Sequence, residues 1–199
     1  MRRRLRVTIA AILALVPLVG LHAHPHVFIS SLVAVDFNEA SLERVSVAWT
    51  FDELFSQMIL ADYHPDAKGA FAEAEALALK KGAFDNLRNY HYFLAFYLGG
   101  KRIALPPIED FRPSVRDGRL IYAFSLPLRL PIAAETLELR ITIYDDTYYV
   151  AFDKMSPSDV AIQGGDSIDA TVSIEKTKVK AEWPGQFMPD QIVLRMKRK

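Results

Sequence analysis

The chain reads as mainly β, an antiparallel immunoglobulin-like β-sandwich with an inserted helix-loop-helix segment at about 52–88, and three observations predict it. Short runs rich in β-branched and aromatic residues recur along most of the chain, several with clear polar alternation. Turn residues such as Asn38-Glu39, Gly99-Gly100 and Asp117-Gly118 separate them. One stretch, beginning after Phe51, switches to helical spacing.

Taken in order, Val27 to Phe37 is a strand in which Val33, Val35 and Phe37 alternate with Ala34 and Asp36. Asn38 and Glu39 turn the chain, and Leu42 to Phe51 answers through Val45, Val47 and Trp49 or Phe51, completing a β-hairpin. Asp52 is the expected N-cap of a short helix spaced by Leu54, Phe55, Met58 and Ile59. Ala70 to Arg88, with only Gly82 against it, is predicted as a second helix.

β character returns with Tyr92 to Leu98 and Arg102 to Leu105. Phe111 to Arg116 and Leu120 to Leu126 then flank the Asp117-Gly118 hairpin signal. Leu137 to Tyr144, Tyr148 to Phe152, Val160 to Gln163 and Ala170 to Lys178 follow, bringing the expectation to about nine strands. The basic tail Arg195, Lys197, Arg198 and Lys199 is expected to be solvated.

The opening segment has the order of a secretory signal. Arg2, Arg3, Arg4 and Arg6 precede an apolar run from Val7 to Val19, and Leu21-His22-Ala23 offers a cleavage site. The run is shorter than the roughly 20 residues that span a bilayer, so no retained membrane anchor is expected. Residues 1–23 are read as signal and 24–199 as a single exported domain. Loss of four arginines leaves the 24 acidic residues in excess, and no basic stripe points to nucleic acid. The chain has no cysteine, which excludes disulfides, thiolate metal sites and cysteine catalysis. With a bacterial-type signal, this makes the periplasm the expected location.

Cleavage after Ala23 would expose His24, Pro25 and His26, an α-amine and two imidazoles within three residues. In extended chain His24 and His26 project to one side, and Zn, Ni and Cu accept such nitrogens. Pro25 has no amide proton, which argues against a square-planar peptide chelate. The pair then needs ligands from elsewhere in the fold, or else it is two ordinary surface histidines.

His64, in the loop between the predicted helices, is weighted above His91 as an addition. That loop also has a calcium-loop outline, with His64 first, Asp66 third, Lys68 fifth and Glu75 twelfth around Gly69. Lysine at the fifth place and histidine at the first oppose a hard cation, so calcium is not expected. Asp145 and Asp146 lie at a turn between strands, read either as turn builders or as metal ligands. Asp52 and Glu53 pose the same choice, with helix capping preferred. No nucleophile elbow, phosphate loop or zinc-protease helix occurs, and an enzyme is not expected.

His24-Pro25-His26-Val27-Phe28-Ile29 after a signal, then Trp49, Phe51, Asp52, Glu53, Phe55 and Ser56, resemble the bacterial family called domain of unknown function 1007. The resemblance continues through the loop to Glu75, through Asn86, Leu87, Tyr90, Tyr92 and Phe93, and into Ile143, Tyr144, Asp145, Thr147, Tyr148 and Tyr149. It implies a periplasmic component associated with ABC-type transport, of a kind often encoded beside nickel, cobalt or zinc transport genes.

The resulting expectation is a metal-binding accessory protein. Its ion is Ni, Co or Zn, its ligands are His24 and His26 with His64 and Asp145 as candidate additions, and its partner is a membrane metal transporter. The alternative is an interaction module that docks on the transporter without touching the ion, with some of the aromatics Tyr90, Tyr92, Phe96, Tyr148 and Tyr149 forming an exposed patch and core packing accounting for most of them.

Overall fold

Along β1 (Val27–Phe37) every second side chain points inward, so Val27, Ile29, Val33, Val35 and Phe37 are buried while Phe28 and Leu32 face solvent. β2 (Ser41–Phe51) pairs with it as the expected hairpin, burying Val45, Val47, Trp49 and Phe51. Asn38 closes the turn, its Oδ1 accepting the amides of Ala40 and Ser41. In the computed structural model, which describes residues 25–177 and 188–199, these strands belong to the first of two sheets. The expected signal and His24 lie outside the described residues.

The remaining strands are β3 (Leu94–Leu98), β4 (Lys101–Ile103), β5 (Glu109–Arg116), β6 (Arg119–Pro131), β7 (Leu137–Ile143), β8 (Val150–Phe152), β9 (Val160–Gly164), β10 (Ile168–Lys176) and β11 (Asp190–Arg198). One sheet runs β5-β6-β2-β1-β8, with β9 also on β1, and the other runs β10-β11-β7-β3-β4. A single hydrophobic core joins them, containing Trp49, Phe124 and Leu126 from the first sheet and Phe96, Ile141 and Leu194 from the second. The chain is thus mainly β.

Three expectations are corrected. The pairing is not wholly antiparallel, because β8 and β9 both run parallel to β1, reached by long connections that permit it. The basic tail keeps Lys197, Arg198 and Lys199 exposed as expected, but no strand was expected there. Its backbone forms β11, flanked by β10 and β7, and Ile192, Val193, Leu194 and Met196 are fully packed. The second helix is shorter than expected, spanning only Glu73–Gly82.

The helical insertion comprises α1 (Glu53–Leu60), α2 (Glu73–Gly82) and a 3-10 segment at Phe84–Phe93. Asp52 caps α1 as expected, its Oδ1 accepting the Phe55 amide at 2.8 Å. Ser56, fully buried, donates to the Asp52 carbonyl and accepts the Leu120 amide, fastening α1 to β6. At the end of the 3-10 segment His91, Tyr92 and Phe93 all have positive φ, so β3 begins at Leu94 and not at Tyr92.

Candidate functional site

Four stretches far apart in sequence meet at one end of the first sheet. The Phe28 amide donates to Asp52 Oδ2 at 2.8 Å and the Asp52 amide donates to the Phe28 carbonyl, so one carboxylate fastens the start of β1 to the cap of α1. The His26 amide donates to the Tyr149 carbonyl at 2.9 Å, and Val27 pairs with Val150. The stretch from Leu87 to Phe93 closes the same corner, with Leu87, Tyr90 and Phe93 beside Val27 and Ile29.

Asp145 builds the turn that positions Tyr149. It is buried, and its oxygens accept the Thr147 amide, the Thr147 hydroxyl and the Val150 amide, all at 2.8 to 2.9 Å. A carboxylate holding three donors has little left for a cation, so Asp145 acts on the site through the backbone it orders. His26 differs. Its residue is exposed, and its imidazole lies with its centroid 5.0 Å from the Tyr149 ring, tilted by 43°.

Behind this rim is a cleft of about 500 Å³. Its walls are mostly aromatic: Phe51 stacks on Phe55 at 4.8 Å, Trp49, Tyr90, Phe93, Tyr122 and Tyr149 line it with aliphatic neighbours, and Asp145 and Thr147 are its polar members. Burial drives the Tyr122 phenol pKa far above its ordinary value, with Tyr63 adding a smaller upward push, so it stays protonated.

His64 is not part of this corner. Its loop is held on β5, at the opposite edge of the sheet from β8, by the Val115 amide donating to the Gly69 carbonyl and by a bridge between Ala70 and Ser114. The loop's carboxylates are used internally. Asp66 Oδ1 accepts the Lys68 and Ala70 amides, and Glu75 Oε1 accepts the His64 amide at 2.9 Å. His91 lines a separate groove with Arg88 and Arg102. Among the described residues no group of three or more His, Asp or Glu is arranged to hold an ion, while His24, the other expected imidazole, lies outside them.

Sequence reasoning singled out the motif strings but not their meeting point. It missed Tyr149 as the neighbour of His26, Asp52 as a clamp on β1, and the Trp49 and Tyr122 pair in the cleft wall. The only available signal was the shared aromatic richness of the four strings.

Fold and site together define a two-sheet β protein with an aromatic cleft at one end and a histidine at its rim. The chain belongs to the family described as "Protein of unknown function (DUF1007)", whose model matches residues 9–184. It is similar to an uncharacterized 15.5 kDa protein in the trpE 3' region of Spirochaeta aurantia, 34% identical over 133 residues that make up 66% of this chain and 93% of the relative. It is also similar to an uncharacterized protein of Haemophilus influenzae, 32% identical over 143 residues, or 71% of this chain and 68% of the relative.

Proposed function

We propose that this protein is a periplasmic accessory of an ABC-type metal transport system. On this reading it uses an immunoglobulin-like sandwich as scaffold and carries Ni, Co or Zn on the histidines of its mature N-terminus. The single observation that supports this most is the exposed His26 imidazole beside Tyr149, on a backbone fixed by the Tyr149 carbonyl and the Asp145 turn. His26 and His24, two apart, would supply two imidazoles, with the α-amine as a third nitrogen. A site with two or three protein ligands leaves positions open to water or to an acceptor's ligands, as handing an ion to a transporter requires.

The test is equilibrium dialysis of correctly processed protein against each of the three metals. The double variant His24→Ala/His26→Ala is expected to lose binding by at least about tenfold, a difference near 1.4 kcal/mol. His64→Ala should retain it. Undiminished affinity in the double variant would remove the N-terminal site.

A second reading, an interaction module that docks on a transporter without touching the ion, is favoured by α1. Leu54 and Met58, one turn apart, are 76% and 59% exposed, with Phe28 at 50%. A membrane partner that co-purifies despite chelation and both histidine substitutions, and is lost in Leu54→Glu/Met58→Glu, would support it.

A further inference from the structure

The charges in the groove beside His91 do not balance. Among its basic and acidic lining residues Lys80 and Asp85 pair at 2.6 Å, which leaves Arg88, Arg102 and His91 with no second carboxylate in the lining to answer them. Neither arginine belongs to any ion pair of the described residues, whereas Arg44, Arg140 and Arg195 all do. The Tyr92 phenol, with Asp85 contributing less, raises the Arg88 pKa, which sets that guanidinium against the groove's own wall.

An unpaired surface arginine is ordinary by itself, because water solvates it. These two border a concavity of about 830 Å³, within the range of small-molecule sites, and its floor is apolar. Leu94 is buried in β3, and Ile103, Leu105 and Ile108 pack against the core beside it. Positive charge thus rims a greasy floor.

The backbone brings an imidazole to the same place at a cost. His91, Tyr92 and Phe93 are consecutive non-glycine residues with φ between 49° and 53°, held there by Tyr92 against Phe84 at 5.2 Å and Phe93 against Trp49 at 6.0 Å. With both successors anchored inward, His91 remains exposed at the groove. Arg88 and Arg102 are exposed as well, so all three are open to a ligand.

A peptide strand is the less suitable occupant. β4 is the edge of its sheet and supplies Arg102 and Ile103, but it is three residues long, and Pro106 and Pro107 beyond it have no N–H to donate. A compact ligand needs no such ladder. Coulomb attraction reaches about 8 Å at physiological salt, so both flexible arginines favour an anion in the groove without sharing a contact point.

We infer that this groove binds a small organic carboxylate with an apolar body, its negative group at the rim of Arg88 and Arg102 and its body on the floor of Leu94, Ile103, Leu105 and Ile108. None of the proposed metal ligands takes part, so the inference stands or falls apart from metal capture.

Equilibrium dialysis of the mature chain, freed of metal and of chelator, against 4-phenylbutyrate, its neutral counterpart 4-phenylbutanamide, 4-phenylbutylamine and acetate separates the contributions. At neutral pH and low salt the phenylbutyrate is expected to bind roughly fivefold tighter than the amide, and the amine more weakly than the amide. Acetate, which has no apolar body, should bind at least about tenfold more weakly than phenylbutyrate. In Arg88→Gln/Arg102→Gln the preference for the carboxylate should fall to about onefold while the amide binds as before, which shows the floor intact. The His91 ring resonances should move with phenylbutyrate and the Tyr149 ring resonances should not, placing the ligand here and outside the aromatic cleft. The inference is overturned by equal affinity for carboxylate and amide, by a preference that survives both substitutions, by acetate binding as tightly as phenylbutyrate, by shifts confined to Tyr149, or by failure of every probe to bind.

Discussion

The His64 loop and the His26 corner each present a histidine that the sequence offers as a metal ligand, the first only as an addition to the second, and the fold treats them in opposite ways. In the loop the polar groups are spent on one another: Asp66 on its own turn, Glu75 on the His64 amide, and Gly69 on β5. At the corner the carboxylates Asp52 and Asp145 are spent on backbone amides. The His26 ring stands at the rim. A loop that satisfies itself is architecture, whereas at the corner the same kind of carboxylate fixes backbone and leaves the imidazole at the surface.

The largest expected effect is Asp145→Ala. It strands the buried Val150 amide and the Thr147 donors, and should cost about 4 kcal/mol in urea unfolding. Because the turn carries the carbonyl that holds His26, metal affinity in the folded fraction should fall as well. Affinity unchanged by Asp145→Ala would separate the turn from the site.

Gly69→Ala is expected to cost about 3 kcal/mol, since a Cβ there would lie 1.9 Å from the Val115 carbonyl oxygen at a φ of +82°. Here metal affinity should not change. A loss of metal binding would mean that the loop contributes to the site after all.

The smallest effect lies away from both regions, on β7, β10 and β11, where Glu138, Arg140, Glu175 and Arg195 close a ring of ion pairs 2.6 to 3.1 Å long. Arg140, with Arg195 adding less, lowers the Glu138 pKa, and Arg195 followed by Arg140 lowers that of Glu175. Folded values below the unfolded one make their contribution fully present above about pH 4.3 and lost as the pH falls through the folded values. Urea midpoints between pH 6 and pH 3 should therefore drop less in Glu138→Gln/Glu175→Gln than in the parent. Salt should shrink the difference, as the pairs are partly exposed.

Much of the architecture was legible where one local pattern had one physical cause. The alternation in β1 and β2 reflects one buried face. Asp117 and Gly118 both take the positive φ that a two-residue hairpin needs, and Asp52 has the side chain an N-cap uses. β11 was not legible because Ile192, Val193 and Leu194 are buried in succession, so alternation vanishes, and the basic residues that follow mask the run. The left-handed stretch at His91 to Phe93 has no glycine or asparagine to announce it.

The candidate site was legible only in pieces. The motif strings could be read, and so could the exposed histidine. What brings Trp49 beside Tyr122, and Val27 beside Val150, is strand register across a long separation in sequence. No local signal encodes that register.

Cobalt(II) added to processed, isotope-labelled protein tests metal capture at this corner most directly, because the paramagnetic ion broadens nearby resonances. The expected result is selective loss of the Tyr149 ring and Val150 amide signals at the lowest cobalt ratio, with Asp66 to Gly69 unaffected and the effect abolished by His24→Ala/His26→Ala. Broadening that begins in the His64 loop, or that persists in the double variant, would contradict it.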